Sequence, residues 1–196
     1  MIGKKKLYKF LREGLKSEHG NCTWEVGVWK KEDNISICNR GFHASKTPLQ
    51  AIGYVAGEIL AEVEVRGKSI KEDDKEVWSE MRITKAWHWT KADSVALSIY
   101  SAELCLDNFE KAFPDDKRPR EAIEAAKKWL LEPTPENESA AWSAAWSARS
   151  AARSARSAAR SAAWSAESAA YKKLIKNIDS WFVKRLKVLN KYDNKS

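Results

Sequence analysis

A chain of 196 residues with a net charge of +8 and an isoelectric point near 9.3 has room for one or two domains, each with a real core. No run of ~18 apolar residues occurs, which argues against a membrane span, and the basic start MIGKKKLYKF lacks the apolar stretch of a secretory signal. Three cysteines, Cys22, Cys38 and Cys105, are odd in number and show no C-x-x-C spacing. They read as reduced thiols of a cytoplasmic protein, with neither a disulfide frame nor a metal site expected.

The positive charge is unevenly placed. From Ser139 onward the excess is +9, and the remaining residues sum to −1. Such asymmetry points to an acidic partner: a host protein, a nucleic acid or a nucleotide.

Residues 1–92 read as a small mixed α+β domain. Lys6 to Phe10 alternates like a strand, and Thr23 to Trp29 is again β-like. Ile35 to Cys38 reads as a short strand running into Asn39-Arg40-Gly41. Phe42-His43-Ala44-Ser45 follows. Thr47 is placed as the N-cap of a helix opened by Pro48 and ended by Gly57. Ile59 to Gly67 is the clearest strand, with Leu60 at a bulge or an edge, and Lys75 to Lys85 reads as another.

Residues 93–196 read as all-helical. Ser94 to Phe113 forms one helix, broken by Pro114-Asp115-Asp116, and Pro119 opens a second through Trp129 and Leu130. Pro133-Thr134-Pro135 then starts a long helix, about 135–190, with Thr134 as cap. Within it Ser recurs at 139, 143, 147, 150, 154, 157, 161, 165 and 168, a mean gap of 3.625. That spacing matches the ~3.6 residues per turn of a straight α-helix. Every residue preceding a Ser after the first is large or charged, and every other position is Ala. The result is a wide Ala arc, a Ser arc and an arc of Trp142, Trp146, Arg149, Arg153, Arg156, Arg160 and Trp164. Ala and Ser let a second backbone approach closely, so the Ala arc is also a candidate face for homo-oligomerisation.

The strings GFHAS, P-L-x-A-x-x-Y, A-E-V-E-V-R-G and R-I-T resemble a family of phage and prophage proteins of unknown function. Its members carry a GFHA and VEV-x-G domain before Ala-rich helices punctuated by Trp and Arg. The segment Phe113 to Ala122 is similar to helical proteins classed as immunity proteins. Together these likenesses imply a non-catalytic binding protein that occupies a host or bacterial partner, as anti-defence inhibitors and immunity proteins do.

The seven Trp and Arg residues of the long helix are the candidate partner-binding set. Four Arg within ~16 Å offer bidentate contacts to phosphate or carboxylate, framed by Trp. Equally, they fit an internal seam against Glu103, Asp107, Glu110, Glu121 or Glu124. His43 is read first as a residue that bonds a nearby backbone group and fixes its turn. Trp87-His88-Trp89 is read as a buried seam rather than a stacking platform for a base. An alternative comes from layout: strand, GFHAS, helix and strand are similar in order to the NAD-clamping core of ADP-ribosyltransferases. That likeness implies nucleotide binding by His43 and Tyr54, with a ring of Phe42 or Tyr54 on nicotinamide. It departs from the pattern at the first strand, where Tyr8-Lys9-Phe10 stands in place of the expected dipeptide, and Glu62, Glu64 and Glu80 are equally placed as its carboxylate. No bound cofactor is expected on the first reading.

Overall fold

The structure is a computed structural model that describes residues 6–55, 57–143 and 164–192, with the backbone alone over 164–171. The class is α+β, an antiparallel sheet followed by helices. Two compact units are formed, residues 1–90 together with 179–196, and residues 91–178. Residues 179–192 thus pack with the sheet unit, whereas the sequence reading placed them in the helical part, 93–196.

The sheet is built on two long partners, β4 (Ile59–Lys71) and β5 (Glu76–His88), with β1 (Lys6–Leu11) on the outer side of β4. The short strands β2 (Lys30–Lys31) and β3 (Phe42–Ala44) both pair with the far edge of β5, and every strand pairing is antiparallel. Side chains alternate between faces along a strand. One face stacks Leu7 and Leu11 of β1 on Ile59, Ala61 and Val63 of β4, and Leu15, Trp24 and Ala44 close over them. Leu60 carries the other face, fully buried between Phe10 and Trp87 in register. The β4–β5 bulges lie at Glu62/Val63 and at Arg66/Ser69, not at Leu60.

That second face is closed from the C-terminal end of the chain. Trp89 stacks on Phe182 at 5.3 Å and meets Phe10 edge-on at 5.6 Å. The Tyr192 N–H donates to the Ala86 carbonyl and the His88 N–H to the Asn190 carbonyl, so the last described residues run alongside the end of β5. Trp87 and Trp89 are both buried, the seam role read for them, and the seam they plug lies between the sheet and residues 179–192.

Local chemistry sets the elements that differ from the expected ones. Ile35 to Cys38 is not a strand: Ser36 and Arg40 exchange backbone hydrogen bonds around a turn in which Cys38 takes φ 59°. Thr23 to Trp29 makes isolated bridges at Thr23 and Val26 only. Helix α1 (Pro48–Ile52) starts as expected, since the Thr47 side chain accepts from the Gln50 N–H and the Gln50 side chain returns the bond. It stops at Gly53, earlier than Gly57. Gly57 serves instead a close approach, because a Cβ there would lie 2.3 Å from the Leu11 carbonyl oxygen.

In the second unit, α2 (Lys91–Ala112) and α3 (Arg118–Leu131) pack through Ile99, Leu106 and Ile123. Residues 135–143 form α4, whose Asn137 N–H is capped by the Thr134 hydroxyl at 3.2 Å. Helix α5 (Trp164–Arg185) carries the chain onward and ends at Arg185, short of the expected 190. It passes through 177–180 as one continuous helix. No helix among the described residues is long and apolar enough to cross a membrane.

Candidate functional site

A cleft of about 710 Å³ opens on the sheet unit, lined among others by Lys9, Cys22, Cys38, His43, Tyr54 and Lys75. It therefore brings together His43 and Tyr54, the two residues singled out for nucleotide binding. Their side chains, however, are already committed. The Nε2 of His43 accepts the Cys38 backbone N–H at 2.9 Å, which leaves this nitrogen without a proton and holds the 36–40 turn against β3. Burial lowers the His43 pKa, and the nearby ammonium groups of Lys9 and Lys75 lower it further, against a bond to the Gly41 backbone that raises it. His43 is thus a neutral imidazole fixing its turn, the role read first for it.

Tyr54 is 47 % exposed at the rim. Its hydroxyl donates to Asp74 at 2.5 Å, which pushes its pKa up, and the Lys75 ammonium sits 5.0 Å from its ring centroid. Lys75 also reaches Glu72 at 3.3 Å and donates to the Cys38 sulfur at 3.0 Å. These two contacts, the sulfur first, hold its pKa well above the usual lysine range. The three carboxylates open to a catalytic reading are each ion-paired: Glu62 near Lys6 and Lys85, Glu64 with Arg82 at 2.6 Å, and Glu80 with Arg66 at 2.6 Å.

Lys9 is the residue that sequence reasoning missed. It stands between Leu7 and Leu11 on the apolar face of β1, opposite Ala61. Its ammonium donates to the His43 carbonyl at 3.3 Å and lies 5.8 Å from the Trp24 ring centroid. Burial brings its pKa down to about 8, partly offset by the field of Cys22. The signal was present in the sequence as a lysine at period two between leucines.

The Trp/Arg set is described only at its ends. Trp142 on α4 is 69 % exposed. For Trp164 the backbone is helical. Trp146, Arg149, Arg153, Arg156 and Arg160, with the Ala arc between them, lie outside the described residues. Of the carboxylates offered as internal partners for the Arg residues, Glu110 is held by Arg120 at 2.6 Å, and Glu103 and Glu124 share Lys127 at 3.0 and 2.9 Å. Among the described residues no group of three or more His, Cys, Asp or Glu is arranged to hold a metal.

A family model described as a domain of unknown function (DUF7666) matches residues 5–94. A second, described as "Imm-5 like putative immunity protein", matches residues 89–173. The immunity likeness read from Phe113 to Ala122 thus lies inside a longer match. No curated protein and no solved structure matches the chain.

Proposed function

We propose that the chain is a non-catalytic, phage- or prophage-type protein that works in the cytoplasm by occupying an acidic protein partner, as an anti-defence or immunity-type inhibitor does. The observation that carries this reading lies in the segment similar to the immunity model. There Leu131 and Trp142, the last residue of α3 and a residue of α4, are 83 % and 69 % exposed. Large apolar side chains left in water supply most of the energy when a partner covers them, Trp above all. The +9 excess from Ser139 onward supplies the charge that would steer an acidic face toward them.

Capture from a bacterial lysate on the tagged full chain tests this. Trp142→Ala is expected to weaken retention of a specific protein by roughly 30-fold, the value of a ~2 kcal/mol hot spot. Arg153→Glu/Arg156→Glu is expected to abolish it with helix content intact, since Glu is also a good helix former. A partner retained equally by both variants would end the proposal, as would recovery of nucleic acid released steeply by salt. The absence of catalysis has its own check. Labelled NAD is expected to be recovered intact from the chain, and turnover lost on Tyr54→Ala would instead establish the transferase reading.

A further inference from the structure

We propose that the cleft on the sheet unit is a binding site for a small organic anion, a carboxylate or a phosphate monoester, seated with its charged group on the Lys9 ammonium. A cation taken out of water is costly unless paired. Lys9 is half-buried on the apolar face of β1, yet among the described residues no carboxylate comes within ion-pair distance of it. Its contacts are the neutral His43 carbonyl at 3.3 Å and the Trp24 ring at 5.8 Å. Nearest it stand Cys22 from the loop before β2, Lys30 of β2, His43 of β3 and Lys75 before β5, and the cleft wall adds Tyr8, Glu18, His19 and Glu32. The two carboxylates of the cleft wall are turned to other cations, Glu18 to Arg12 at 2.5 Å and Glu32 to Arg40 at 4.0 Å.

The other cations of the cleft are already served. Lys31 pairs with Asp33 at 2.9 Å, Arg40 lies 4.0 Å from Glu32, and Lys75 pairs with Glu72 at 3.3 Å. Lys9 is the wall cation left for an incoming anion. A volume of about 710 Å³ is that of a site for a molecule of nucleotide size. Bland packing would favour an apolar side chain at position 9, as at Leu7 and Leu11, so the lysine is retained at a cost to the free protein. Folding depresses its pKa from 10.5 to about 8. The unfolded chain therefore binds the proton more tightly, and stability rises as pH climbs from about 8 toward 10.5.

Titration calorimetry and thermal melting of the full chain decide the matter, with AMP, benzoate and inorganic phosphate as probes and adenosine and benzamide as neutral counterparts. At least one organic anion is expected to bind one-to-one and raise the melting temperature, while its neutral counterpart does not. Its affinity is expected to fall about tenfold per unit of pH above about 8, as Lys9 loses its proton. Lys9→Met is expected to melt higher than wild type without ligand and to bind the anion at least tenfold more weakly. Should Lys9→Met fail to fold, the pH series on the wild type decides alone. The proposal is overturned if no anion binds, if neutral counterparts bind equally well, if a folded Lys9→Met keeps full affinity, or if affinity is flat to pH 10. The site lies outside residues 91–178, so partner capture in the Trp142→Ala experiment is unaffected by any of these results.

Discussion

Phe182→Ala is expected to lower the unfolding free energy by about 3–5 kcal/mol, the range for removing a large aromatic from a closed core. Phe182 is fully buried, although it lies far along the chain from the sheet it covers. Its ring stacks on Trp89 at 5.3 Å and meets Trp181 edge-on at 5.6 Å, and Trp89 in turn touches Phe10. Deleting the ring leaves a cavity that these neighbours fill only by giving up one another. The exposed Val183 beside it is the control, since it is 52 % accessible and Val183→Ala should change stability by less than ~0.5 kcal/mol. Chemical denaturation followed by tryptophan fluorescence measures both. A Phe182→Ala chain as stable as wild type would mean that residues 179–192 do not close the second face of the sheet.

Gly41→Ala is expected to cost a similar amount by a different route, and to disturb the cleft as well. Gly41 takes φ 101°, a conformation that L side chains rarely adopt, and an added Cβ would lie 2.7 Å from Cγ2 of Val77 and 2.9 Å from Cγ2 of Ile35. Val77 is fully buried on β5 and cannot swing aside. Backbone strain of about 1–3 kcal/mol and overpacking of about 1–3 kcal/mol then fall on the same residue. The substitution also pushes on the segment that carries His43, whose Nε2 holds the Cys38 N–H. Thermal melting should therefore drop, and Cys38 should react faster with a thiol reagent as its turn loosens. A Gly41→Ala chain with an unchanged melting temperature would contradict the conformation described for the turn. His43→Gln separates the two effects, because it removes the imidazole acceptor while leaving Gly41 in place.

Much of the local structure was legible because its causes are local. Thr47 before Pro48, with Gln50 three positions after the cap, specifies a helix start through contacts within four residues. Thr134 does the same for α4. The alternation in β1 and β4 identifies strands, and the broken runs around Pro114 and Pro133 separate three helices. The backbone partner read for His43 is present because a half-buried polar ring beside a tight turn needs one. Ile35 to Cys38 misled because its β-branched residues favour strand, while the positive φ of Cys38 is set by a turn that β3 and His43 complete from outside.

The tertiary structure alone decided which distant segments share a surface. Nothing in the helical spacing of Leu174, Ile178, Trp181 and Phe182 tells whether these residues cover the other helices or the sheet, since an apolar stripe states that it is buried but not against what. Their place beside Trp89 follows from the sheet offering an uncovered apolar face around Phe10 and Leu60. The cleft is of the same kind. Lys9, Cys22, Cys38, His43 and Lys75 are separated by up to 66 positions and meet because β1 and β3 are brought near each other across the sheet. The sequence by itself determined the α+β class, the helix starts and the basic last third, all set by residues within a few positions of one another. That Lys9 lines a cleft whose carboxylates, Glu18 and Glu32, lie against Arg12 and Arg40 depended on what the fold places around it.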